Sequence, residues 1–254
     1  MKRIRRDLSL VPAGSEGRPI GDVKRFLEDV RARGFRPRGI LDVGANRGRW
    51  TLLALSIFPD AEVVMVEPQE EMRPILEAIC AGRRRVELIC AGAGKEAEQL
   101  VQTIWDDLDG SSFLPPVNEG QLRNGKQRLT QMVTIDGILD QRSSIVPDLV
   151  KLDIQGFELE ALKGAASLFG RTELFILETS LFPFMPGMPT FPDCVQFMHE
   201  RGYDLYDVAG YLRRPYDGAL GQVDLAFARS GGKLRRSSQW SACGLAECST
   251  ERGG

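Results

Sequence analysis

Leu41-Asp42-Val43-Gly44-Ala45-Asn46-Arg47-Gly48 is the end of a short apolar run followed at once by a glycine turn, and its reading decides the fold. Residues 39–43 read as a buried strand, Gly44 to Gly48 turn the chain, and 50–58 continue as a helix, making a first βα unit. Upstream, Val23, Phe26, Leu27 and Val30 recur at helical spacing within 20–33, with Gly34 as the stop. Downstream come a strand over 61–66 closing at Glu67-Pro68, a helix over 70–81 and a strand over 86–91. The alternation returns with a strand over 148–153, a helix over 157–168 closed near Gly170, a strand over 173–178 and a helix over 190–201. Strands alternating with helices predict an α/β fold with a doubly wound, mostly parallel sheet. Residues 203–208 and 223–229 predict an antiparallel pair at its edge.

Between these blocks, 105–128 break the pattern with Asp109-Gly110-Ser111-Ser112, Pro115-Pro116 and Asn124-Gly125, which read as an insertion over the sheet edge with short strands on either side. The chain has 254 residues, 43% of them hydrophobic, enough for one sizeable core. We expect residues 1–37 to form an N-terminal extension and helix, 38–229 the main domain, and 230–254, polar and rich in Gly and Ser, a disordered tail. A formal net charge of -2 leaves no chain-wide field to recruit nucleic acid or an anionic membrane. The basic start is followed by Pro12, Gly14, Gly17 and Pro19 rather than an apolar core, and no run of about 18 apolar residues occurs, so a cytoplasmic protein without a membrane span is expected. The five cysteines, including Cys243 and Cys248 in the tail, form no CxxC pair, and with a single His they predict reduced thiols rather than a zinc site. His199 reads as a surface or packing residue.

In an open α/β sheet, ligands settle beyond the carboxyl ends of the strands at the topological switch point. Gly44 and Gly48 let backbone approach a ligand there, but Asn46 stands where the dinucleotide fingerprint requires its second glycine. Asp42 would repel a pyrophosphate, yet it suits the ammonium and sulfonium of S-adenosylmethionine, which carries no phosphate. Glu67, ending the second strand, is placed to accept hydrogen bonds from ribose hydroxyls. A later strand delivers Asp153 to the same edge, Gly156 permits a sharp turn, Glu158 enters the first helical turn, and Glu178 ends the next strand. Methyl transfer needs an acceptor held in line and a base for its proton, and Asp153 is the first choice for that base. Alternatively Asp153 and Glu178 hold Mg²⁺, which would orient and acidify a hydroxyl. Ser111-Ser112 is a lid contact or a turn, and the apolar 182–191 is an acceptor-pocket wall or loop packing.

Ile40 to Gly48, Val66-Glu67-Pro68, Gly110-Ser111-Ser112, Val133-Thr134-Ile135-Asp136 and the segment 150–164 resemble the FkbM-type methyltransferase family over roughly residues 38–229. The resemblance implies a Rossmann-like class I methyltransferase fold, S-adenosyl-L-methionine as donor, and O-methylation of a hydroxyl on a sugar, glycan or natural-product small molecule. By the same match Asp42, Gly44, Asn46, Gly48 and Glu67 would bind the cofactor and Asp153 would face the reaction; Ala45, Pro68, Gly92 and Ser112 are further candidate cofactor contacts, and Glu158 and Glu178 further candidates at the reaction edge. Gln155 stands where the family often has Glu, and Cys90-Ala91-Gly92 lacks the acid that many methyltransferases place near adenine. Two rival functions are a nicotinamide-dependent oxidoreductase, which the glycine spacing disfavours, and a catalytically inactive methyltransferase-fold binding protein.

Overall fold

A computed structural model describes residues 19–141 and 146–239 of the chain. In chain order the elements are α1 (Val23–Ala32), β1 (Gly39–Val43), α2 (Arg49–Ile57), β2 (Glu62–Val66), α3 (Arg73–Ala81), β3 (Val86–Ile89), β4 (Gly92–Ala93) and β5 (Gln99–Thr103). Then follow α4 (Glu119–Arg123), β6 (Gln127–Val133), α5 (Ile135–Asp140), β7 (Leu149–Leu152), α6 (Glu158–Lys163), β8 (Leu174–Ser180), α7 (Phe191–His199), β9 (Tyr203–Arg213) and β10 (Leu220–Arg229). The main sheet has seven strands in the order β3-β2-β1-β7-β8-β10-β9. All pairs are parallel except those of β10, which runs antiparallel to both β8 and β9. The chain leaves β1 for β2 on one side and returns to β7 on the other, so the switch point lies between the carboxyl ends of β1 and β7.

The core follows from the period of two along the strands. Ile40, Val63, Met65, Leu149, Leu174 and Ile176 face one side, where Phe26, Leu27 and Val30 of α1, Ile57 of α2 and Leu76 and Ile79 of α3 cover them. Their strand neighbours Leu41, Val43, Val150, Leu152, Phe175 and Leu177 face the other, under Ile138 of α5, Leu162 of α6 and Met198 of α7. Both faces being covered, β1, β7 and β8 are buried along their whole length, which is why they read as continuous apolar runs. The N-terminal helix is therefore part of the main core.

Three local expectations change. The helix expected over 157–168 stops at Lys163 with Gly164 as its C-cap, packed so closely that a side chain there would lie 2.3 Å from the Gly94 carbonyl oxygen, and a short 3-10 turn (Ala166–Leu168) follows. α3 starts at Arg73 rather than 70, with Pro74 in its first turn, where the missing N–H leaves no hydrogen bond unmade. The insertion over 105–128 does have short strands on either side: it carries α4, and β5 and β6 flank it and form with β4 a second sheet of three strands, β4-β6-β5. In the region expected to be a disordered tail, Leu234 packs on the core and its N–H donates to Glu173 (2.9 Å), while Cys243 and Cys248 lie outside the described residues. No helix among the described residues is long and apolar enough to cross a membrane.

Candidate active site

The turn after β1 is held by backbone geometry. Gly44 adopts φ +82°, and a side chain there would come within 1.9 Å of the Asp153 carbonyl oxygen, so the segments just past β1 and β7 pack this closely only with a glycine at 44. Asn46 is left-handed as well (φ 46°), and this turns its N–H inward to donate to Glu67 Oε2 at 2.7 Å. Gln69 N–H donates to the other oxygen, Oε1, at 3.0 Å. Both Glu67 oxygens are thus fixed by backbone donors, and each retains lone-pair capacity for a ligand hydroxyl. Burial raises the Glu67 carboxyl above its ordinary value, against the pull of those two N–H groups. The N–H that a dinucleotide site would aim at pyrophosphate is taken by this glutamate.

Across the switch point, β7 carries Lys151 and delivers Asp153 just past its end. Lys151 Nζ lies 3.0 Å from Asp153 Oδ2, 3.7 Å from Asp42 Oδ1, 3.5 Å from the Gly44 carbonyl oxygen and 6.0 Å from the centre of the Trp50 ring. Burial disfavours its charge, but Asp153 and Asp42 outweigh that and raise its pKa, so it is an ammonium at neutral pH. Asp42 is fully buried, with Oδ2 accepting from the Thr51 hydroxyl at 2.5 Å and Oδ1 making no hydrogen bond. Burial raises its pKa, with Lys151 and Thr51 opposing.

Gln155 (φ 55°) links the acids, its amide donating to Asp153 Oδ1 at 3.0 Å and to Glu178 Oε2 at 2.8 Å. Gln222 on β10 donates to the same Glu178 oxygen at 2.8 Å. Burial, with Asp153, Glu158 and Asp224 nearby, pushes Glu178 well above the usual carboxylate range. Asp224, opposite Glu178 in the strand register, is raised by burial and then by Asp153 to about 6.

Two cavities meet here. A cleft of about 310 Å³ runs from Glu67, Pro68 and Gln69 past Gly44, Ala45, Asn46 and Trp50 to Lys151, Asp153 and Glu178. A second, of about 300 Å³, lies between the start of α1 and the β9–β10 pair, with Asp224, Gln222 and Tyr211 on its wall. They share Asp153, Glu178 and Leu212.

Of the sequence-predicted residues, Gly44, Ala45, Asn46, Glu67, Pro68, Asp153 and Glu178 line the first cleft. Asp42 does not; it stands behind the cleft under Lys151. Gly48 begins α2 against Ile79, and Gly92 packs on Met132 and Phe113. Glu158 lies off both cavities: Oε1 accepts from the N–H groups of Ile154 and Gly156 at 2.8 and 3.3 Å, so it braces the turn that presents Gln155. The two serines of the insertion divide the work. Ser111 donates to Gln69 at 3.1 Å, and Ser112 donates to the Gln155 carbonyl at 2.9 Å, so the insertion is pinned to both halves of the edge.

Gly187, Met188 and Pro189 of the apolar segment line a different cavity, beside Gly156 and Leu114. His199 is largely exposed, 3.1 Å from Asp204. Sequence reasoning passed over Lys151, Gln222 and Asp224. The last two carried a signal, since they are polar residues two apart, on one face of an otherwise apolar strand.

The expected Mg²⁺ does not fit. Among the described residues no group of three or more His, Cys, Asp and Glu side chains is arranged to hold a metal ion. Asp153 already faces the Lys151 ammonium and a Gln155 N–H, and Glu178 Oε2 accepts two amides. S-adenosylmethionine fits better: Glu67 offers acceptors for hydroxyls, carboxylates outnumber Lys151 at the other end, and the buried Trp50 Nε1 has no protein partner.

A doubly wound sheet with a cleft of mixed charge at its switch point has the ligand-binding architecture of an open α/β protein. Residues 42–205 match the family model described as the methyltransferase FkbM domain, and the chain belongs to that family. Its fold is the Rossmann-like class I methyltransferase α/β fold. Methyltransferase sdnD of Sordaria araneosa is 28% identical over 153 residues, covering 49% of this chain and 59%, under two thirds, of that protein. Among solved structures, a 1,6-didemethyltoxoflavin-N1-methyltransferase of Burkholderia thailandensis with bound S-adenosylhomocysteine is 14% identical, with a TM-score of 0.46 over 82% of this chain and 78% of that one. A precorrin-6y C5,15-methyltransferase of Geobacter metallireducens is 13% identical, with a TM-score of 0.46 over 82% and 87%.

Proposed function

We propose that the protein transfers a methyl group from S-adenosyl-L-methionine to a hydroxyl of a sugar, glycan or natural-product small molecule. The observation that carries this reading is the junction of two cavities on one pair of acids, Asp153 and Glu178. The cofactor supplies an electrophilic methyl on a sulfonium whose positive charge is lost on transfer. Glu67 would take the ribose hydroxyls, Ala45 and Asn46 would line the path between, and Asp153 would face the sulfonium end. The acceptor would enter by the second cavity, past Tyr211 and Leu212, with Asp224 and Gln222 on its polar wall.

Deprotonating an alcohol calls for a base with more proton affinity than a solvated carboxylate has. Glu178 has it through burial and three neighbouring acids. Asp153, half-exposed between the cavities, is the group nearer an incoming hydroxyl. A carboxylate pair of this kind, joined through Gln155, would orient the hydroxyl and receive its proton. Glu158, Gly92 and Ser112 serve as supports for the site. The protein is proposed to act on small molecules in the cytoplasm, without nucleic acid.

The test is a transfer screen with isotope-labelled donor against panels of polyols, phenols and amines, each run with and without a chelator and read by mass spectrometry. Label gained by hydroxyl compounds, unchanged by chelation, is expected. Label gained by amines alone would overturn the hydroxyl assignment.

A further inference from the structure

Lys151 is the one buried group at the reaction edge whose charge matches that of the proposed donor. It lines the cleft with a side chain only 10% exposed, and its ammonium cannot swing away: Asp153, Asp42, the Gly44 carbonyl and the Trp50 ring hold it on four sides. The buried Asp42 Oδ1, which makes no hydrogen bond, faces it at 3.7 Å. A fixed cation lining the cleft would repel a sulfonium bound beside it, and burial of the lysine makes that repulsion larger than it would be in bulk water.

We propose that Lys151 is a specificity-determining residue of the donor site, whose ammonium opposes Asp153 and sets how strongly the cleft prefers the sulfonium donor over its neutral thioether product. The inference rests on the donor reading above and deepens it. Its logic is differential binding. A wall of unopposed carboxylates would stabilise the sulfonium most before transfer, when its charge is full, and less as that charge disappears. Such a wall would deepen the ground state and slow the reaction. Lys151 offsets one carboxylate, so the field at the sulfur is mild before transfer and the neutral product is not disfavoured. Asp42 keeps that lysine charged from behind, out of contact with the ligand, which explains why an acid sits fully buried beneath the cleft.

The experiment is calorimetric titration of the full chain with S-adenosylmethionine and, separately, S-adenosylhomocysteine, and the quantity read is the ratio of the two Kd values. Lys151→Gln removes the charge but keeps a donor toward Asp153, and is expected to shift the ratio about tenfold toward the sulfonium ligand. Asp153→Asn is expected to shift it about tenfold the other way. Lys151→Arg should stay close to wild type. Asp42→Asn/Lys151→Gln, which leaves no buried charge alone, should move the ratio in the same direction as Lys151→Gln by a smaller factor, and it decides the matter if the single variant does not fold. Ratios within about twofold of wild type in both Lys151→Gln and Asp42→Asn/Lys151→Gln, or parallel loss of both ligands, would mean a structural role and overturn the proposal. Failure of wild type to bind either ligand would instead overturn the donor reading.

Discussion

Glu67 follows the last residue of β2, and Glu178 stands two residues before the end of β8, which runs on to Ser180 past the end expected at 178; the two lie on opposite halves of the same sheet edge and are buried, yet they are held by different means. Glu67 takes one N–H from Asn46 and one from Gln69, donors that arrive with the βα turns themselves. Glu178 takes side-chain amides from Gln155 and Gln222, which come from a separate turn and a separate strand. The half proposed to hold the nucleoside is therefore built from backbone conformation, and the half proposed for the reaction from side chains brought together by topology. Backbone donors tolerate little change in the turn but leave the neighbouring side chains free. Side-chain donors can be exchanged one at a time, which suits the half that selects an acceptor.

The largest effect should come from crowding the close contact between the halves at Gly44. Gly44→Val places a side chain 1.9 Å from the Asp153 carbonyl at φ +82°. A loss of about 3–5 kcal/mol in urea denaturation is expected. Stability within about 1 kcal/mol of wild type would mean that the β1–β7 approach is not tight.

Next comes the brace of the reaction half. Burial raises Glu158 from 4.5 to about 7, so the folded chain holds a proton that the unfolded chain releases between those values. By linkage the contribution of this group favours folding below about pH 4.5 and declines as pH rises to 7, by on the order of 3 kcal/mol. Asp224, raised to about 6, acts in the same direction. Denaturation midpoints from pH 5 to 8 should fall for wild type and fall less for Glu158→Gln. Equal slopes would show that Glu158 is not protonated in the native protein.

On the nucleoside side, Glu67→Ala leaves the Asn46 and Gln69 N–H groups without their partner and removes the ribose acceptor. S-adenosylhomocysteine affinity is expected to drop about 10- to 100-fold, the worth of one to two lost charge-assisted hydrogen bonds. The smallest effect on that ligand belongs to Asp224→Asn, which touches only the second cavity. It should leave the same affinity within about twofold while slowing transfer to any acceptor the screen identifies. Equal effects from the two variants on the ligand would erase the division between halves.

That division also explains what could be read from sequence. Asp42, Gly44, Asn46 and Glu67 sit in one βα unit and its neighbour, so their order along the chain reports their place at the edge. Even there Asp42 misleads, because a carboxylate at a strand end points either into the cleft or under it, and the Lys151 opposite decides for the latter. Glu158 was legible as a residue of a first helical turn, but its capture by Ile154 and Gly156 depends on how sharply 153–156 bend. Lys151 looked like one more residue of a buried strand. Asp224 joins the site only because β10 runs antiparallel beside β8, a pairing that places it opposite Glu178.

The central claim, a sulfonium-nucleoside cleft at the switch point, is tested most directly by titrating the purified chain with S-adenosylhomocysteine and with NAD. Saturable binding of the first and none of the second is predicted, since the Asn46 N–H that a pyrophosphate needs is taken by Glu67. Binding of NAD without binding of S-adenosylhomocysteine would contradict it.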